Sequence, residues 1–217
     1  MIKAQSTKQQ FFNFISNHFE RFKFQLPLYL NWHVGIRFDL QIETDDNKEY
    51  FKEVLNRANI LYNSVFSSND EMLVLVIDGK FTAKRNKIKC NNYFFKQIQN
   101  LKRGEISYFK IKNLYNLFEQ TNDYEFNVAV IKCTAGDVNQ KNIIKEIAYN
   151  DFNILNCKVE NKKVLFVNLN KKIMFYMYDD RGLDIIAPNK EIIKYLYVKH
   201  KNLILEYNRK EIDNLFN

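Results

Sequence analysis

The 217-residue chain is 46% hydrophobic and 15% aromatic, with 19 Phe, 13 Tyr and 1 Trp, a supply of apolar side chains that excludes a disordered protein. Its formal net charge is +8, and with 5 Gly and 2 Pro little of the chain suits a flexible linker. Length and apolar content together favour one domain over residues 1–217 with a sizeable core.

In chain order, the polar run Met1–Lys8 has no apolar signal region, and no apolar stretch reaches the length of a membrane span. The expectation is a cytoplasmic protein without membrane association. Gln9–Phe22 places Phe11, Phe12, Ile15, Phe19 and Phe22 at helical spacing, and Pro27 interrupts the next stretch. Val34–Ile42 alternates as a half-buried strand does, with Val34, Ile36, Phe38, Leu40 and Ile42 on one face and Arg37, Asp39 and Gln41 on the other. Asn47–Phe66 carries a broad apolar stripe and a Glu53/Arg57 pair at i,i+4 spacing, which predicts a helix. Met72–Ile77 reads as a buried strand, and Asp78-Gly79 as a hairpin turn into Lys80–Ala83.

Residues 84–125 keep to no single period and form a candidate insertion. Within them Tyr93–Leu101 suggests a helix, Ile106–Ile111 a strand and Leu114–Gln120 a short helix. Phe126–Cys133 reads as a strand and Asn139–Phe152 as a helix. Val164–Leu169, Ile173–Tyr178 and Leu183–Ala187 then form a three-stranded antiparallel meander, and Glu191–His200 and Arg209–Phe216 close the chain as helices. The fold class is α+β, a mostly antiparallel sheet with a C-terminal meander, packed by amphipathic helices.

Charge is segregated along the chain. Residues 37–78 carry four basic and nine acidic side chains, whereas residues 80–112 carry ten basic and one acidic. Lys84, Arg85, Lys87, Lys89 and Arg103, interleaved with aromatic residues, fit a nucleic-acid-binding segment. A lysine-rich solvated face is the commoner meaning of such a run, and an acidic protein partner suits it equally. The high Lys and Asn content also matches the codon bias of an AT-rich bacterial genome, which dilutes any argument from lysine clusters.

Catalytic motifs are scarce. His18, His33 and His200 are scattered without metal-ligand spacing, and Cys90, Cys133 and Cys157 have no CxxC spacing and read as reduced, mostly buried thiols. No Gly-rich phosphate loop or GxSxG elbow occurs, and local sequence supports no Ser–His or Cys–His pair. No cofactor or metal is implied.

The most distinctive segment is Tyr178-Asp179-Asp180-Arg181-Gly182. Asp at the first position and Gly at the fourth predict a type I turn, with Asp179 capping turn amides and Gly182 supplying a positive φ. Asp179, Asp180 and Asp184 also place three carboxylates within six residues, which would suit a metal-assisted hydrolase or transferase. Tyr178 and Arg181 at a rigid tip suit recognition equally well.

The segments Leu165–Asn168 and Tyr178–Ala187, the closing Asn208-Arg209-Lys210-Glu211-Ile212, and upstream Ile36–Leu40 and Arg57-Ala58 resemble the bacterial domain-of-unknown-function family numbered 3885. The resemblance implies a Gram-positive bacterial cytosolic origin and carries no activity. One departure is Asn202-Leu203-Ile204-Leu205, where the family pattern has Trp-Ile-Leu. The leading functional expectation is a non-enzymatic binding protein, an immunity or regulatory partner of another protein. Its candidate contact residues are Tyr178, Asp179, Asp180, Arg181, Asp184, Arg37 and Asp39.

Overall fold

Ser6 accepts a hydrogen bond from the Gln9 amide and so opens the first helix, α1 (Thr7–His18), in a computed structural model that describes residues 5–78, 92–115, 125–150, 152 and 162–217. Strand β1 (Gly35–Asp39) comes next, then α2 (Asn47–Val65), which Asp46 caps by accepting from the Lys48 amide at 2.8 Å. After it come β2 (Glu71–Asp78), α3 (Asn92–Lys96), β3 (Ile106–Lys112) and β4 (Glu125–Thr134). Asn139 caps α4 (Gln140–Ala148), which precedes the meander β5 (Lys162–Asn168), β6 (Ile173–Met177) and β7 (Gly182–Ile186). Asn189 caps α5 (Lys190–Lys199), and α6 (Arg209–Phe216) ends the chain.

The seven strands form one sheet in the order β1-β7-β6-β5-β2-β4-β3, every neighbouring pair antiparallel. The fold is therefore α+β, with the expected C-terminal meander. Strand β2 sits between β4 and β5 and is buried from Met72 to Ile77, so an uninterrupted apolar run requires cover on both faces. On one face, Met72, Val74, Val76, Phe166 and Phe175 pack under α2, α4, α5 and α6. The α2 stripe of Phe51, Val54, Ala58, Leu61, Tyr62 and Val65 is buried there, and the Tyr62 ring meets Phe166 and Phe175 edge-on. On the other face, Leu73, Leu75, Ile77, Leu165 and Val167 pack against Phe11 and Phe14 of α1 and the non-helical Phe19, Phe22, Leu26 and Leu28.

Several predicted boundaries move. The first helix stops at His18, because the chain reverses through Arg21 at φ 63° and buries Phe19 and Phe22 outside the helix. The first strand stops at Asp39, whose carboxylate takes the Gln41 amide at 2.9 Å and turns the chain away, leaving Ile42 half-exposed. The helix expected over Tyr93–Leu101 shortens to α3. Leu114 and Tyr115 are not helical, and Tyr115 bridges Leu26; the rest of the Leu114–Gln120 segment and the Lys80–Ala83 hairpin return lie outside the described residues.

Of two polar knots, one holds the meander to the end of α2 and the other ties the C-terminal segment together beside β1. Asn168, fully buried, donates to the Val65 carbonyl at 3.0 Å and to Asp70 at 2.8 Å, and accepts from the Lys171 amide. Lys171 adds a 2.9 Å ion pair to Asp70. Arg209 donates to the carbonyls of Lys201 and Ile204, both at 3.0 Å, and so clips the Asn202–Leu205 stretch, whose Ile204 is buried against β1.

The tertiary structure also creates a Ser–His contact that no local spacing announces. Ser64 Oγ lies 2.9 Å from His200 Nε2 while donating to the Ile60 carbonyl, which leaves its oxygen to accept from the imidazole and ties α2 to the end of α5. Burial, aided by Lys199, holds the His200 imidazole below its ordinary value of 6.5. The unfolded chain thus binds a proton that the folded chain resists. Stability is full above 6.5 and falls as pH drops through the unfolded and then the folded value. In thermal unfolding from about pH 7.5 to about pH 5, the native chain should lose more of its Tm than His200→Gln, which keeps a donor for Ser64 without the titration. Parallel profiles would exclude His200 as the acid-sensitive group.

Candidate functional site

The β6–β7 hairpin carries the site. Tyr178 closes its loop by donating its amide to the Gly182 carbonyl at 3.2 Å, and the Arg181 carbonyl accepts the Leu40 amide at 3.0 Å, which clips the hairpin tip to the end of β1. Asp179 caps the bend as expected, taking the Arg181 amide on Oδ1 at 2.8 Å. Its Oδ2 takes the Arg181 guanidinium through Nε at 2.9 Å and through a second nitrogen. Asp179 is buried by this pairing, whereas the Arg181 side chain stays 63% exposed.

Gly182 corrects one expectation. No glycine among the described residues has a positive φ, so Gly182 is not there for left-handed backbone. A Cβ at this position would stand 2.2 Å from the Tyr178 hydroxyl oxygen and 2.6 Å from the Phe38 carbonyl oxygen. The position needs glycine because the Tyr178 ring and the β1 backbone close over it.

Asp180 points the other way. It accepts the Tyr50 hydroxyl of α2 at 2.6 Å on the helix-covered face. Burial pushes its carboxyl above the usual value, opposed by that hydrogen bond, and the Tyr50 phenol is pushed up to about 12 by burial and by Asp180.

Asp184 meets Arg37. The antiparallel register sets these two residues directly opposite on β7 and β1. The guanidinium donates to Oδ1 at 2.9 Å and to Oδ2 at 3.4 Å, and the Tyr29 amide adds a third donor at 3.1 Å. The Asp184 side chain is fully buried and that of Arg37 is 13% exposed. Burial works to raise the Asp184 carboxyl, and Arg37 and the Tyr29 and Leu28 amides oppose it. Arg37 also lies over the rings of Tyr29, at 5.1 Å, and Tyr178, at 5.8 Å. Tyr29 in turn donates its hydroxyl to Glu211 of α6 at 2.8 Å.

Above this pair lies a cleft of about 290 Å³, lined by Pro27, Arg37, Tyr115, Lys163, Tyr176, Tyr178, Asp179 and Arg181. Of the sequence-predicted residues, Arg37, Tyr178, Asp179 and Arg181 line it and Asp184 lies beneath Arg37. Asp39 stands at the end of β1, where its charge helps to raise the Tyr178 phenol, but it does not line the cleft. Asp180 is on the opposite face. Sequence reasoning missed Lys163, Tyr115 and Tyr176. The detectable signal was parity: Tyr176 and Tyr178 alternate onto one face, and so do Lys163 and Leu165 on the paired strand.

The three carboxylates do not converge. Among the described residues no group of three or more His, Cys, Asp or Glu side chains is placed to hold a metal ion. Of the nucleic-acid candidates, Lys84, Arg85, Lys87 and Lys89 lie outside the described residues, and for Arg103 only the backbone, in a short 3-10 turn, is described. Cys90 and Cys157 lie outside them as well. The Cys133 thiol is pushed up to about 12 by burial, which fits an inert reduced cysteine.

Two substitutions test this geometry by chemical denaturation. Asp184→Ala strands the Arg37 charge and should cost about 3–5 kcal/mol, whereas Arg37→Met/Asp184→Leu should recover most of that loss. A double variant as unstable as the single one would refute the ion-pair account. Gly182→Ala should cost about 1–3 kcal/mol through overpacking against Tyr178, and Gly182→Ala/Tyr178→Ala should cost less than the sum of the two single changes. Strict additivity would show that Tyr178 is not what demands the glycine.

Comparison with known proteins places the chain in a family. The uncharacterized protein YnaE of Bacillus subtilis (strain 168) is 25% identical over 210 residues, covering 89% of this chain and 96% of that protein. No solved structure matches the chain. Residues 11–208 match the family described as domain of unknown function (DUF3885). That match spans most of the chain, including both strands of the Arg37–Asp184 pair, and this protein therefore belongs to the DUF3885 family.

Proposed function

We propose that this protein is a non-enzymatic binding protein of the bacterial cytosol, an immunity or regulatory partner of another protein, which engages that partner with the cleft and hairpin tip at the β1–β7–β6 end of the sheet. The observation that carries the reading is the commitment of the three hairpin carboxylates. Asp179 holds Arg181, Asp180 holds the Tyr50 hydroxyl and Asp184 holds Arg37. A general base needs a carboxylate that meets the substrate's proton, and these three meet donors of their own fold. The reading as a metal-assisted hydrolase or transferase has no comparable support, because Asp180 faces the opposite side of the sheet from Asp179 and Asp184.

What the tip presents instead is a rigid recognition surface. Arg181 is exposed yet oriented by Asp179, and Tyr178 is held between Gly182 and Arg37. Pre-ordered Arg and Tyr side chains lose little conformational freedom on binding, and both types are enriched at binding hot spots. The segregation of charge along the chain favours steered encounter with a charged protein.

The test is affinity capture from a Gram-positive bacterial lysate, with the native chain and a Lys163→Glu/Arg181→Ala variant of unchanged Tm as baits. The native chain should retain a discrete partner in near-equal amount, and the variant should hold it about tenfold more weakly or worse. Equal retention by both baits, or no specific partner, would remove the reading.

A further inference from the structure

We propose that the cleft is a site for a small oxyanion, a phosphoryl or carboxylate group on an aromatic or otherwise flat ligand, with its charge at the Lys163 ammonium and an oxygen at the Tyr115 hydroxyl. This rests on the reading of the cleft as a recognition surface and adds the chemistry of what it recognises.

The cation count points to an anion. Arg37, Lys163 and Arg181 line the cleft, against one lining carboxylate, Asp179, and one beneath, Asp184. Those two carboxylates are taken by Arg181 and Arg37. Lys163 is half-buried, and its ammonium donates to the Tyr178 carbonyl oxygen at 3.5 Å; among the described residues no carboxylate lies within ion-pair distance of it. Its neighbour Lys162, on the other face of β5, is by contrast paired to Asp78 at 3.2 Å. An ammonium at the wall of a cleft, with no carboxylate partner among the described residues, is placed to pair with a bound anion.

Hydrogen-bond donors accompany the charge. Tyr176, almost fully buried, and the half-buried Tyr115 both line the cleft. A phenol hydroxyl at the cleft wall carries one hydrogen that it can donate to a bound oxyanion. Burial raises the Tyr115, Tyr176 and Tyr178 phenols above their ordinary value, so all three remain donors at neutral pH and add no negative charge. The tyrosine rings and Pro27 add apolar wall beside the charged groups. A volume of about 290 Å³ lies at the small end of ligand sites, enough for a ring bearing one anionic group.

The test is isothermal titration calorimetry of the full chain at low ionic strength with phenyl phosphate, benzoate, inorganic phosphate and benzyl alcohol. The expected result is saturable one-to-one binding of phenyl phosphate or benzoate that weakens with added salt, with no binding of benzyl alcohol. The tighter of the two aromatic anions identifies the group as phosphoryl or carboxylate, and saturation by inorganic phosphate shows that the charge alone suffices. Lys163→Met should weaken binding about tenfold or more and Tyr115→Phe about fivefold, while Lys52→Met on the exposed side of α2 leaves it unchanged. No saturation by either aromatic anion at millimolar concentration, equal affinity for benzyl alcohol, or an unaltered Lys163→Met variant would overturn the proposal. A chain that captures a protein partner yet binds no anion overturns the anion site alone. A chain that binds the anion and captures no partner overturns the protein-partner reading alone.

Discussion

The buried pair of Arg37 and Asp184 is the constraint on which one end of the molecule depends. A carboxylate with no exposed surface is tolerable only where several donors meet it, and here they come from the guanidinium and two backbone amides. Satisfying Asp184 therefore fixes the register of β1 on β7, the path of the chain at Leu28 and Tyr29, and the position of Arg37. Arg37 then gathers the Tyr29 and Tyr178 rings about it, and Tyr29 reaches on to Glu211. A stretch near residue 29, a strand near 37, the hairpin near 180 and the last helix are joined through one ion pair.

The same end shows how a single sheet combines a packed core with a polar site. Along β2 both faces are apolar and both are covered, so the centre of the sheet admits no ligand. At the β1–β7–β6 edge the helix-covered face stays apolar through Ile36, Phe38, Leu183 and Ile185, and the other face changes to Arg37, Asp184, Tyr176 and Tyr178. The cover there is a non-helical chain from Phe19 to Leu28 in place of a helix. Such a chain tracks the sheet less closely than a helix face does, and a cleft remains beside it.

The segments that carry the family resemblance turn out to be structural fasteners as much as site residues. Asn168 and Arg209 bind carbonyls left open where chain segments end, and Gly182 permits a close approach. Arg57 takes the Gln41 carbonyl beside its helix pair with Glu53.

By itself the sequence determined what local physics controls. Periodicity set the α2 stripe, the alternation of β1 and the meander, because side-chain direction is tied to backbone repeat. Asp179 was legible as a turn cap, because an Asx turn involves only its neighbours. The sequence did not show that Gly182 answers to Tyr178 and Phe38 instead of to a positive φ, nor that Asp180 and Asp184 face opposite sides of the sheet toward Tyr50 and Arg37. Parity could place Lys163 on the face of Tyr176 and Tyr178, but the sequence held no sign that Tyr115 joins them in one cleft, or that Ser64 meets His200. Apart from Tyr178 over Gly182 and Lys163 beside the hairpin, those contacts link residues more than a hundred positions apart in the pairs Tyr50–Asp180, Arg37–Asp184 and Ser64–His200. Only the strand order and the packing of helices on the sheet bring such residues within hydrogen-bond reach, and no local spacing encodes that.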